Sequence, residues 1–380
     1  MRGPAGRAAI DPFHVMEVMR AAERREAAGG EVLHLEVGQP STPAPSKVIA
    51  AAHTALDREV LGYTTAAGIE PLRRAIAAHL EDWYGVAVDP DRVIVTVGAS
   101  GAFVLSFLAA FDVGDRVVVP SPGYPCYRNA LTALGVEVVD LATTMATRFQ
   151  PTPELLDTLG PVDGLVLASP SNPTGTMLDD EALAAVAAWC RERGVQLVAD
   201  EIYHGITYDR PAPSVLGVDD TACVVNSFSK YFSMTGWRLG WLVAPDHLVD
   251  PVIRLAQNFF IAAPTLAQHA AVAAFACHDE LAANVERYAC NRRTLLEGLP
   301  AAGIEQLAPA DGAFYVYGDV SALTDDSQHL CARWLDEIGV AATPGVDFDP
   351  TRGHRWVRFS FAGAVDEVAE AVERLGQWRP

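Results

Sequence analysis

Of the 28 basic residues in this chain, only Lys47 and Lys230 are lysines; the other 26 are arginines. Lys230 stands inside SFSKYFSMTGWRLGW (227–241), a stretch rich in serine and aromatic residues. Arginine stays protonated under ordinary conditions, so it is a poor nucleophile. A partly desolvated lysine can lose its proton, attack a carbonyl and form an imine. Position 230 therefore reads as an amine nucleophile. A leftover surface lysine, as Lys47 reads, is the plain alternative.

Other residues add complementary chemistry. In VGASGAFVLSFLAAF (97–111), small residues lead straight into an apolar helical run. Free amides near Ala99, with the Ser100 hydroxyl, would cup a phosphate, though a tight strand–helix turn explains the same residues equally well. In SPGYPCYRN, Tyr124 sits between prolines and can offer a ring face; otherwise this is an ordinary Pro-Gly turn. In PSNPTG, Asn172 is held extended before Pro173, and its amide can donate to a ligand oxygen, again unless the segment is only a turn. Asp200 closes the apolar run VQLVAD, where an unpaired carboxylate would be costly, so it needs a cationic or hydrogen-bonding partner. Glu201 and His204 follow, but no third ligand lies at useful spacing, so no metal is expected. Arg238, eight residues after Lys230, is a fixed cation suited to a phosphate.

The elements that would position these residues are short apolar runs: RVIVTV (92–97), RVVVP (116–120), VEVVDL (136–141), GLVLAS (164–169), VQLVAD (195–200) and ACVVNS (222–227). They read as strands covered on both faces, with helical segments such as DDEALAAVAAWCRERG (179–194) between them. The expected fold class is α/β, a mostly parallel sheet sandwiched by helices, with a smaller α+β domain. The large domain is expected over 45–260. Residues 1–44 and 261–380 would form the small domain, joined by one long helix or a helix pair at about 264–298. In such sheets ligands bind beyond the carboxyl ends of strands, and there the candidate residues fall. Phosphate cup, stacking ring, amide donor, buried carboxylate and imine-forming amine together match one cofactor, pyridoxal 5′-phosphate (PLP).

Composition narrows the alternatives. A 50% hydrophobic content supports a large core, and a net charge of −20 argues against sequence-independent nucleic-acid binding. Six scattered cysteines lack CxxC or metal-ligand spacing and read as reduced thiols of a cytoplasmic protein. The N-terminal residues show no secretory h-region. The most apolar long stretch, 259–277, contains Pro264, Gln268 and His269 and reads as a core helix rather than a membrane span.

From about residue 10 to the C-terminus the sequence resembles the class I/II aminotransferases of the fold-type I PLP enzymes, the aspartate aminotransferase superfamily. The resemblance rests on SFSKYFSMTGWRLGW, SPSNPTG, DEIY, GYTTAAGIEPLRRAIA and WVRFSFA, in their family order. It implies that Lys230 forms the imine with the cofactor and moves the substrate proton. Asp200 would keep the ring nitrogen protonated, Asn172 and Tyr203 would bind the ring's phenolic oxygen, and Tyr124 would stack on the ring. Ala99, Ser100, Ser227 and Arg238 would hold the phosphate. Tyr63 would reach the cofactor of a second subunit, making a homodimer. Arg358 would grip the substrate α-carboxylate, helped by the Gly38 backbone and Asn172.

Two departures stand out. Asp349 in PGVDFD replaces a glycine common in relatives, and FFIAAPT (259–265) lacks the arginine that dicarboxylate-specific relatives supply after the dimer-side loop. The second points to neutral aliphatic or aromatic side chains. The expected activity is exchange of an amino group between an L-amino acid and a 2-oxo acid by a ping-pong mechanism. A lyase on the same scaffold, either a C–S β-lyase or an enzyme like 1-aminocyclopropane-1-carboxylate synthase, would use the same residues. A transcriptional regulator with this domain is disfavoured by the charge and by the lack of room before residue 30.

Overall fold

The computed structural model describes residues 3–379; the outermost residues of the expected small domain, 1–2 and 380, lie outside them. In chain order the strands are β1 (Leu33–Leu35), β2 (Val93–Thr96), β3 (Arg116–Ser121), β4 (Glu137–Ala142), β5 (Gly164–Ala168), β6 (Gln196–Asp200), β7 (Cys223–Ser227), β8 (Gly240–Val243), β9 (Tyr315–Asp319), β10 (Val340–Pro344) and β11 (Trp356–Ser360). Seven form a sheet in the order β2-β8-β7-β6-β5-β3-β4. All six strands expected from the apolar runs are present. The addition is β8, which enters antiparallel between β2 and β7. The other pairings are parallel.

Strand alternation divides the core. Val93, Val95, Val118, Leu165, Leu197 and Trp241 pack into one apolar cluster. Their neighbours Ile94, Val117, Val119, Val166, Val198 and Leu242 pack into another. Successive side chains point to opposite faces, so a sheet with helices on both sides needs apolar residues throughout. This explains the unbroken apolar runs.

The second sheet has the order β1-β10-β11-β9. Its first strand comes from the N-terminal segment and runs parallel to β10; β10, β11 and β9 are antiparallel. Between the sheets, the stretch expected as a long helix or helix pair is broken into Thr265–Ala271, a 3₁₀ segment Val272–Ala276 and the helix His278–Gly298. The closing helix is Val365–Gln377.

Candidate active site

Beyond the carboxyl ends of the large-sheet strands lies a cavity of about 220 Å³. Lys230 lines it three residues past β7, and its Nζ donates to the Gly38 carbonyl at 2.6 Å. Burial and the nearby Arg358 charge lower its pKa from 10.5 to about 8. Asp200, the last residue of β6, accepts from the Ile202 amide at 3.0 Å and from the Tyr127 hydroxyl. Burial outweighs those bonds and raises its pKa to about 6. A buried amine pushed down and a buried acid pushed up in one cavity is the pattern of a reactive site.

At one end, the helix Gly98–Ala110 points its first turn into the cavity, with Ala99 and Ser100 on the wall. Arg238 adopts φ +52° and lies over that turn. A Cβ at Gly98 would sit 2.7 Å from Arg238 Nη2, so glycine permits the approach, and Gly98 itself has φ +67°. Ser229 and Thr235 line the same end.

At the other end, Arg358 in β11 is 4% exposed. Its Nη1 donates to Asn172 Oδ1 at 3.0 Å, and its Nη2 donates to Thr343 Oγ1 at 3.2 Å and to the Glu36 carbonyl. The guanidinium lies between the Tyr315 and Phe348 rings, at 4.4 and 4.7 Å from their centres. Its Nε is a buried donor with no partner. Because Asn172 spends its oxygen on Arg358, its amide NH2 is left for the cavity. Tyr203 and Tyr315 join hydroxyl to hydroxyl at 2.7 Å. Gly38 is glycine for a steric reason, since a Cβ there would lie 1.8 Å from the Tyr315 hydroxyl.

The cavity thus gathers Gly38, Ala99, Ser100, Tyr124, Asn172, Asp200, Tyr203, Lys230, Arg238 and Arg358 from distant parts of the sequence. Ser227 is not on its wall. The Ser227 hydroxyl donates to the Leu239 carbonyl at 2.9 Å and lies 2.9 Å from that of Ser229, which does face the cavity. Tyr63 is also outside, at 85% exposure. Sequence reasoning missed Tyr127, Tyr315, Ser229 and Thr235, and the apolar wall of Val15, Met16, Met19 and Val37. Tyr127 could have been found, because it lies one helical turn past Tyr124 in a helix starting at Pro125. Glu201 and His204 turn to other partners: Glu201 accepts from Ser214 Oγ and the Val215 amide, and His204 lies between Tyr84 and the Ser169 carbonyl. Among the described residues no group of three or more His, Cys, Asp or Glu could hold a metal ion.

Comparison with known proteins decides the family. Residues 30–375 match the family described as aminotransferase class I and II. The chain is 51% identical to a valine–pyruvate aminotransferase of Mycobacterium tuberculosis, over 98% of each chain. A crystal structure of an aminotransferase from Mycobacterium tuberculosis superposes with a TM-score of 0.97 at 50% identity, covering 100% of this chain and 99% of that one. An aspartate aminotransferase from Thermus thermophilus, solved with maleate, gives 0.93 at 34% identity, covering 99% and 100%.

This chain belongs to the class I and II aminotransferases. It is an enzyme that transfers amino groups between amino acids and 2-oxo acids; the lyase reading finds no support among these relatives. Family membership implies dependence on PLP. The cavity's donors fit that group. A fixed guanidinium and a 13-residue helix's free amides converge where a phosphate would lie, a buried carboxylate sits deep in the cavity, and an amine of lowered pKa stands beside it.

Proposed function

We propose that this aminotransferase binds PLP in the cavity at Lys230 and exchanges the amino group of a neutral aliphatic amino acid, such as valine, with pyruvate. The observation carrying the substrate choice is the wall formed by Val15, Met16, Met19 and Val37. Among the described residues, Arg238 and Arg358 are the only arginines lining the cavity, so once the phosphate and the α-carboxylate are paired none of these arginines is left for a second carboxylate. The valine–pyruvate aminotransferase at 51% identity supports the same choice.

The bound cofactor would supply an aldehyde for the amine and a ring that withdraws electrons from the substrate Cα. Lys230 Nζ, whose lowered pKa of about 8 eases loss of its proton, would hold the cofactor through that aldehyde. The same amine would serve as the base that takes and moves the proton at the substrate Cα. Asp200 would hold the proton on the ring nitrogen, and the Tyr127 bond favours its ionised form. Asn172 Nδ2 and the Tyr203 hydroxyl would donate to the phenolic oxygen, and Tyr124 would pack against the ring. Arg238, Ser100, Ser229 and the Ala99 amide hold the phosphate, with Ser227 orienting Ser229. Arg358 and the Gly38 amide take the α-carboxylate.

The working unit in this reading is a homodimer. Ser100 and Arg238 are exposed in the single chain. Nearby, an arm carries Val60 at 98% and Tyr63 at 85% exposure, and Thr265 Oγ1 and Gln268 Nε2 fasten it at Gly62 and Thr64. A held arm with bare apolar tips suits insertion into a second subunit, where Tyr63 reaches the phosphate. The large domain over 45–260 and the small domain over 1–44 and 261–380 are the two bodies that would close on substrate. The six cysteines are all unpaired, which supports a reducing, cytoplasmic setting, and among the described residues no helix is long and apolar enough to cross a membrane. The test is to mix cofactor-loaded enzyme with each amino acid in turn and follow the visible absorbance. Valine and similar donors should bleach the band fastest, with 3-methyl-2-oxobutanoate recovered from valine. Preference for aspartate or glutamate would sink the substrate choice.

A further inference from the structure

Asp349 is 3% exposed and lies in the connection between β10 and β11. Its Oδ1 accepts from the Thr351 and Arg352 amides at 3.0 and 2.9 Å, and its Oδ2 accepts from Arg352 Nε at 2.7 Å. So held, the Arg352 guanidinium reaches the other sheet. Nη2 donates to the Ser121 carbonyl at 2.6 Å and Nη1 to the Thr143 carbonyl at 3.2 Å. Ser121 ends β3, and Thr143 follows β4. One residue before Asp349, the Phe348 carbonyl accepts from the Gly123 amide at 3.0 Å, while the Phe348 ring covers Arg358. The preceding Asp347 accepts from the amides of His14 and Val15 at 3.0 and 3.2 Å, at the start of the helix bearing Met16 and Met19. One short connection therefore touches the Tyr124 turn, the carboxylate arginine and the apolar wall.

We propose that the Asp349–Arg352 pair is a positioning latch for the substrate. It pins the β10–β11 connection to the ends of β3 and β4 and so fixes the spacing between Arg358 and the ring-stacking turn at Tyr124. That spacing sets where an α-carboxylate sits relative to the cofactor ring, so the inference rests on the reading of Arg358 as the carboxylate anchor. Arg352 does not line the cavity. A planar fork bonded to a carboxylate and two carbonyls holds a fixed angle, which a lysine ammonium does not reproduce.

The test compares Arg352→Ala, Arg352→Lys, Asp349→Asn and Arg358→Ala with the parent, all as cofactor-loaded enzyme. The readouts are both half-reactions, the visible absorbance, the dissociation constant of a plain 2-oxo acid titrated by that absorbance, and the unfolding midpoint. Arg352→Ala is expected to raise KM and the 2-oxo acid dissociation constant about tenfold, since misplacement of about 1 Å can cost up to about a hundredfold. Its kcat should change less, and its absorbance should match the parent's. Arg352→Lys should not rescue, and Asp349→Asn should fall between. If Arg352→Ala only lowers the unfolding midpoint, with KM and 2-oxo acid binding at parent values, the latch is refuted while Arg358→Ala can still uphold the anchor. If Arg358→Ala also leaves KM and 2-oxo acid binding unchanged, the anchor reading fails with it. Should Arg352→Ala fail to fold, the milder Arg352→Lys and Asp349→Asn decide by the same readouts.

Discussion

Replacing Arg358 tests the substrate end of the site. The guanidinium is buried, sandwiched between two rings and bonded to Asn172 Oδ1, Thr343 Oγ1 and the Glu36 carbonyl. Alanine would remove the proposed carboxylate anchor and leave Asn172 Oδ1 free to turn into the cavity. Losing one partner of a buried charge pair costs about 2–5 kcal/mol, which at 1.4 kcal/mol per decade is about 30- to 4,000-fold in kcat/KM. Lysine keeps the charge but loses the fork. With hydrogen bonds to charged groups contributing about 1.5–3 kcal/mol, its loss should be about 10- to 150-fold. Because amino acid and 2-oxo acid carry the same carboxylate, both half-reactions should suffer alike. The assay is stopped-flow absorbance of each half-reaction over a range of substrate concentrations, and the visible band of the resting enzyme should be nearly unchanged. An Arg358→Ala enzyme with intact kcat/KM in both half-reactions would refute the reasoning, and the carboxylate site would have to be sought at another cation.

Borohydride reduction of loaded enzyme followed by peptide mapping should label Lys230; a label on Lys47 would overturn the nucleophile assignment. Asp200→Asn should slow the chemical step far more than it weakens cofactor retention, read by single-turnover rates against cofactor dialysis, because the phosphate contacts remain. Tyr127→Phe removes a bond that lowers the Asp200 pKa, so the acidic limb of the rate profile should move to higher pH with a smaller rate loss than in Asp200→Asn. Lys230→Met should stabilise the cofactor-free chain against denaturant at pH 7. The folded-state pKa of about 8 lies below the ordinary 10.5, so the folded state binds fewer protons than the unfolded one. Stability therefore falls as pH drops from about 10.5 to about 8 and stays reduced below that. The gain from methionine should shrink toward pH 10, and a gain independent of pH would reject burial of the amine as its cause.

The large sheet was legible because both faces are covered. A strand buried on two sides must be apolar at every position, and such runs stand out beside amphipathic helices. The strand that escaped, β8, is short and overlaps SFSKYFSMTGWRLGW, where the residues invite a chemical reading before a structural one. It also runs antiparallel, so no helix precedes it as a signal. A helix pair is one of the two readings of 264–298, but the position of its break, at Cys277, escaped for a different reason. No glycine or proline marks it, and Val272–Ala276 tighten into a 3₁₀ turn within a sequence that reads as helix throughout.

The site divides along a similar line. Asp200 was visible because burying a carboxylate without a partner is costly, Lys230 because it is one of only two lysines, and Arg358 through the family resemblance of WVRFSFA. Residues that act through those groups were not. Tyr127 bonds Asp200 from a helix 73 positions earlier in the chain, and Tyr315 reads as one aromatic of a core strand until its hydroxyl meets Tyr203. The Glu36 and Gly38 carbonyls hold Arg358 and Lys230 as backbone atoms, which any residue type supplies. Yet Gly38 still leaves a trace, because the Tyr315 hydroxyl occupies the space a side chain would need. The opposed pKa shifts of Lys230 and Asp200 arise from the same cause, a cavity that excludes water from both. Their proximity offsets part of each shift, since the Asp200 charge raises the lysine and the Lys230 charge lowers the acid. Removing either charge should therefore move the other further from its ordinary value. Each charge thus tempers the shift that burial imposes on the other.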